Sequence, residues 1–128
     1  MQAAGRFEVR FDELAFTDDL AHATPAGRDV AQAAKQRLER DGTDLSDFKR
    51  CDPNGRDGTR LPNCVKIHLP RPGDRWRMVF EITRDKTTGT LGLTYRAFGV
   101  GHPEHPWQPS AYQVAHGRLH PSDGPPHA

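Results

Sequence analysis

The segment LPNCVKIHLPRPGDRWRMVF, from Leu61 to Phe80, constrains the fold more than any other stretch, because it alternates between two chemically opposed sets. Val65, Ile67, Leu69, Trp76, Met78 and Phe80 fall on one side of a period-two pattern, and Lys66, His68, Arg75 and Arg77 fall on the other. This is a hairpin with one apolar and one cationic face. Keeping both apolar sets together requires paired residue numbers to have an odd sum. The tight choice sets Lys66 against Arg77 and His68 against Arg75, with Cβ atoms roughly 4.5 to 5.5 Å apart. Like charges so placed repel, so a chain that keeps them reads as selected for binding an anion, phosphate above all. A solvated face with splayed cations is the alternative.

At 128 residues the chain is long enough for one domain with one hydrophobic core. Residues 1–119 are expected to form it, and residues 120–128, ending in PSDGPPHA, to be a frayed tail. A hydrophobic share of 34% and a mean hydropathy of -0.81 imply a small core with polar ends. The net charge of +1 conceals an uneven distribution. Residues 1–48 carry 6 Lys/Arg against 10 Asp/Glu, residues 49–86 carry 10 against 5, and residues 87–128 carry 2 against 2 with five of the seven histidines. A basic middle beside a histidine-rich end suits a polyanion, and the acidic first third weakens non-specific binding.

Cys51 and Cys64 belong to no C-x-x-C pair, which removes redox motifs and zinc knuckles. Zinc held by Cys64, His68, His102 and His105 is conceivable but lacks ligand spacing, so the expectation is no metal and no cofactor. MQAAGRFEVRF has no apolar signal-peptide core, and no apolar run reaches the length of a membrane span. A cytoplasmic, reduced protein without a membrane partner is expected.

Along the chain, Phe7, Val9 and Phe11 alternate with Arg6, Glu8 and Arg10 as in a half-buried strand, and Leu14, Phe16 and Leu20 suit a short helix. Thr24 as N-cap and Pro25 at the first helical position open a second helix, whose stripe of Ala26, Val30, Ala33, Ala34 and Leu38 ends before Gly42. The Pro, Gly, Asn and Asp content between Arg50 and Asn63 predicts a surface loop carrying Arg56 and Arg60. After a turn at DKTTGT, Leu91–Val100 reads as a third central strand, Leu93, Tyr95 and Ala97 opposing Thr94, Arg96 and Phe98. A proline-stiffened loop with His102, His105 and Trp107 leads to a short helix from Ser110 to Leu119 that holds Tyr112, with His116 and His120 expected at the surface.

LPNCVKIHL, then RWRMVFEI, then a third strand closing on FGVGH and the later Tyr112 together resemble the RelE branch of the RelE/ParE toxin superfamily, from about Arg6 to Leu119. The resemblance implies an α+β, RelE-like (microbial ribonuclease-like) fold, a small antiparallel β-sheet packed against an N-terminal helical segment. It also implies a toxin that cleaves messenger RNA on the ribosome and is silenced by a cognate antitoxin. Lys66 matches the first lysine of the family's Y-K-I-K-L strand, and His68 stands where many relatives have the second. Arg77 matches the arginine of G-Y-R-L-V-Y, His102 the basic residue after the V-G pair, and Tyr112 the tyrosine near the C-terminus. Pro103 replaces the arginine that usually follows that basic residue, and PWQ is an insertion in the same loop.

A ribonuclease without a metal needs a base for the ribose 2′-OH, cations around the phosphorane-like transition state and an acid for the leaving 5′ oxygen. His68 suits the base, since its ordinary pKa of ~6.5 lies near working pH and neighbouring Lys66, Arg75 and Arg77 favour its neutral form. Lys66 and Arg77 suit the phosphate, His102 or His105 the acid, and Tyr112 a stacked base. Arg56, Arg60, Arg75, Arg96 and His105 are the wider RNA-binding candidates. Two non-catalytic readings stay open: a gyrase inhibitor of the ParE branch, which lacks the cationic set, and a degenerate member that only binds RNA or an antitoxin.

Overall fold

The computed structural model describes residues 6–55, 58–70 and 75–121. In chain order the elements are β1 (Glu8–Arg10), α1 (Glu13–Leu20), α2 (Pro25–Asp41), β2 (Phe48–Arg50), β3 (Cys64–His68), β4 (Trp76–Arg84), β5 (Leu91–Val100) and α3 (Ala111–Leu119). The protein is α+β, with a five-stranded sheet in the order β1-β5-β4-β3-β2. The sheet is mixed rather than wholly antiparallel, because β1 pairs parallel with β5 while the other pairs are antiparallel. The two helices between β1 and β2 carry the chain from one sheet edge to the other, which a hairpin could not do.

Helix α2 starts where its capping chemistry dictates. The Thr24 hydroxyl accepts from the Gly27 N–H at 3.1 Å, and Pro25 occupies the first turn. It stops at Gly42, whose φ of +66 and close approach to the Phe7 carbonyl leave no room for a side chain. Its buried face is Gly27, Ala31, Ala34 and Leu38, so Ala26 and Ala33 of the expected stripe face solvent. That face and Phe16 of α1 cover Val65, Ile67, Leu69, Met78, Phe80, Leu93 and Tyr95 of the sheet. Phe11, Phe16, Phe80 and Tyr95 meet there with ring centroids 5.1 to 5.9 Å apart. Each such pair adds roughly 0.5–1.5 kcal/mol to what burial supplies.

The hairpin expected from Leu61–Phe80 forms, with its apolar set turned to the helices, but in a register shifted by two residues. His68 lies opposite Arg77, and Lys66 lies opposite Val79. Parity is preserved, as the alternation requires. The second face is not wholly cationic. Helix α3 lays Ala111 and Ala115 over Cys64, Val79 and Ala97, closing a second small core with Cys51 and Leu61. The even alternation expected of β5 breaks at a bulge, where Val79 pairs with Ala97 but Phe80 pairs with Tyr95. Ala97 thereby joins Val79 under α3 and Phe98 stacks on Trp76 at 4.9 Å, while Arg96 turns to Glu81 at 2.6 Å. Arg96 and Phe98 therefore do not share a face.

Because β1 reaches only Gly92–Thr94, the rest of β5 runs along a sheet edge. Asp19 and Arg118 close it. The Asp19 carboxylate accepts from the Phe98 N–H at 3.0 Å, the Tyr95 hydroxyl at 2.5 Å and both terminal nitrogens of Arg118, which also donates to the Arg96 carbonyl at 2.7 Å. Side chains from α1 and α3 thus do the work of a missing strand. Burial, then the Asp19 charge, pushes the Tyr95 phenol far above its ordinary value and keeps it a donor.

Candidate functional site

Beside the patch that α3 covers, the polar face of β3 and β4 carries Lys66, His68 and Arg77 at half-buried or exposed positions. Lys66 lies opposite Lys49 of β2, and His68 lies opposite Arg77. Directly opposed basic residues repel, so this face is built against sheet stability. Lys49 has no counterpart among the sequence candidates, because a three-residue strand reading FKR shows no alternation to detect.

Each side chain is held from its own side. The Lys66 Nζ sits 4.9 Å above the Tyr112 ring. Tyr112 is placed by α3, whose start is locked by a capping box: Ser110 Oγ accepts from the Gln113 N–H, and Gln113 Oε1 accepts from the Ser110 N–H. Arg77 is half-buried and donates to the Trp76 carbonyl at 3.1 Å. Its aliphatic stem and Nε lie against Gly101, where an added β-carbon would come within 3.0 Å of both. The Gly101 N–H donates to the Arg75 carbonyl at 3.1 Å, which ties the following loop to the start of β4.

Partial desolvation, then the charges of Arg77, Lys49, Lys66 and His102, hold the His68 imidazole below its ordinary value. His68 is exposed, and with cations around it its imidazole is neutral at neutral pH and free to accept a proton. A cavity of about 160 Å³ opens beside Lys66 and Tyr112, bounded by Cys51, Asp52 and Thr59. The thiols are not nucleophiles: burial pushes Cys51 up to about 11 and Cys64 up to about 12.

The structure brings Lys66, His68, Arg77 and Tyr112 to one face, and His102 contributes the smallest of the charges felt at His68. It takes others elsewhere. Arg75 does not oppose His68 but pairs with Glu104 at 2.8 Å. Arg96 is held by Glu81 through two hydrogen bonds, which withdraws its guanidinium from phosphate. His105 stacks on Trp107, and Arg56 lies outside the described residues. Arg60 lies on the exposed loop before β3, and its backbone is anchored to the C-terminal end of the chain. Its N–H donates to His116 Nδ1 at 2.8 Å, and its carbonyl lies 3.0 Å from His120 Nε2. His116 is consequently buried, at 2% exposure, and not a surface residue. Cys64, His68, His102 and His105 do not assemble: among the described residues no three metal-ligating groups converge. No helix among those residues is long and apolar enough to cross a membrane.

If this face docks a nucleic-acid backbone, binding falls log-linearly with salt, and Lys49→Ala lowers the magnitude of the slope by about 1. Filter binding of single-stranded RNA between low and moderate salt checks this; an unchanged slope would place Lys49 outside the footprint.

No known family's sequence profile matches the chain, and no curated protein matches it. Among solved structures, the chain is similar to a form of the E. coli toxin RelE, with two arginines replaced by alanine and in the free state. The identity is 15%, covering 76% of this chain and 85% of that one, with a TM-score of 0.40. That likeness is too loose to decide anything about this site.

Proposed function

We propose that the protein is an endoribonuclease toxin of a toxin–antitoxin pair, cutting messenger RNA on the ribosome without a metal ion. The observation that carries this reading is His68, its proton affinity lowered, set directly across the strands from Arg77 and beside Lys66. The sequence resemblance to the RelE branch supports it independently. In this reading His68 takes the proton from the ribose 2′-OH as that oxygen attacks phosphorus. Arg77 and Lys66 hold the non-bridging oxygens as charge builds, Arg77 bidentately. The bond to O5′ breaks, His102 returns a proton to it, and a 2′,3′-cyclic phosphate remains. Tyr112, fixed over Lys66, stacks on a neighbouring base. With Pro103 in place of the family's arginine, the charge stabilisation falls to Arg77, Lys66 and Lys49. The partners are the messenger, the ribosome and an antitoxin chain.

Cleavage of ribosome-bound message tests it. His68→Gln lowers the rate by about 10²-fold, the usual scale of lost general-base catalysis. The pH profile gives a second handle. Since the folded value lies below the ordinary ~6.5, the neutral base persists until pH falls below that value, and the acid limb sits there rather than near neutrality. That limb vanishes in the variant. Full activity of His68→Gln would move the base to the loop histidines.

Pro103 favours a second reading, a non-catalytic member that binds RNA or an antitoxin. Such a protein leaves messages intact, and a gyrase inhibitor alters supercoiling instead.

A further inference from the structure

The loop between β5 and α3 carries a feature that none of the chemistry above uses. Trp107 is 78% exposed, and its ring lies 4.5 Å from that of His105 at an interplanar angle of 7°. The geometry is built by a turn: the Gln108 N–H donates to the His105 carbonyl at 3.1 Å, and Pro106 occupies the second position, where its fixed φ suits such a turn. Residues one and three of that turn are the stacked pair. The loop is tied to the start of β4 by Glu104, which pairs with Arg75 at 2.8 Å, and its far end, Gln108 and Pro109, borders the groove that contains Trp76 and Val100. Pro103, Pro106 and Pro109 stiffen the loop along its length.

We propose that Trp107, backed by His105, is a stacking platform for an unpaired base of single-stranded RNA whose backbone lies on the Lys66–His68–Arg77 face. The proposal rests on the nuclease reading and adds a subsite to it. Two features select RNA over protein. The chain neighbours Glu104, His105 and Pro106 are exposed and Gln108 half-exposed, and apart from the imidazole and one proline they offer Trp107 no apolar side chain, which fits a flat heterocycle better than a protein anchor cluster. The same loop starts at Gly101, which lies against the Arg77 side chain, so one strand can meet phosphate contacts and the indole in succession. A ring already parallel to its neighbour loses little freedom on docking.

The test uses a 2′-O-methyl oligoribonucleotide, which has no attacking hydroxyl and cannot be cut by this chemistry. The chain has two tryptophans, so in a Trp76→Phe background emission reports Trp107 alone. Saturation with the single strand quenches that emission, and a duplex of equal length does not. Anisotropy of a labelled single strand, on chains that retain Trp76, gives the affinity without that background: Trp107→Ala weakens it about tenfold or more, and Trp107→Phe retains most of it. If Arg77→Ala weakens binding and Trp107→Ala does not, the platform is refuted while the RNA reading stands. Equal quenching by duplex refutes base stacking. Absence of saturable binding to any single strand removes the RNA reading together with the platform.

Discussion

Arg77→Ala lowers cleavage of ribosome-bound message by about 10²- to 10³-fold, the loss expected when one preorganised donor is taken from a developing oxyanion. Arg77 is the cation directly opposite His68, its stem packs against Gly101 and it is half-buried, so on the proposed reading it loses little side-chain freedom when it meets a phosphate. Lysine at this position restores only part of the rate, because a point charge cannot make the two parallel hydrogen bonds of a guanidinium. Thermal unfolding monitored by circular dichroism separates lost chemistry from lost fold. A variant that is folded and cuts at the wild-type rate would mean that charge stabilisation comes from elsewhere.

Asp19→Ala costs about 3–5 kcal/mol, a large part of the ~5–15 kcal/mol that holds a domain of this size together. The carboxylate is 7% exposed and serves four donors, so its removal leaves the Arg118 guanidinium without its anion and the Phe98 N–H and Tyr95 hydroxyl without an acceptor. Replacing Asp19 and Arg118 together by apolar residues costs less than removing Asp19 alone, because no charge is then stranded. Urea unfolding checks both statements. A loss below about 1 kcal/mol for the single variant would show that water satisfies the β5 edge.

Much of this fold is written in short-range pattern. The alternation from Val65 to Phe80 set the strand parity, Thr24-Pro25 and Gly42 set the ends of α2, and Leu91–Val100 emerged with the expected bounds. What the pattern lacked was long-range. Period-two alternation fixes parity but not register, so Lys66 was set against Arg77 when the strands bring His68 there. A bulge beyond Val79 and a three-residue strand at Phe48–Arg50 leave almost no trace in a linear chain, which hid Lys49 and misplaced Ala97. Asp19 and Arg118 are far apart in sequence with no local pattern to link them, and only the gap beside β5 reveals why Asp19 is buried and Arg118 half-buried. The candidate site was legible in Lys66, His68, Arg77 and Tyr112. The acidic partners of Arg75 and Arg96, Glu104 and Glu81, come from other elements and left no local sign.

The proposed mechanism turns on a single atom of the substrate, the ribose 2′ oxygen that His68 would activate. The direct measurement is to put a ribosome-bound message carrying one 2′-deoxynucleotide at the mapped cut position before the wild-type chain. Uncut deoxy message, beside native message whose upstream fragment ends in a 2′,3′-cyclic phosphate, is the expected result. Equal cutting of both, upstream fragments ending in a free 3′ hydroxyl, or native message left intact would contradict it.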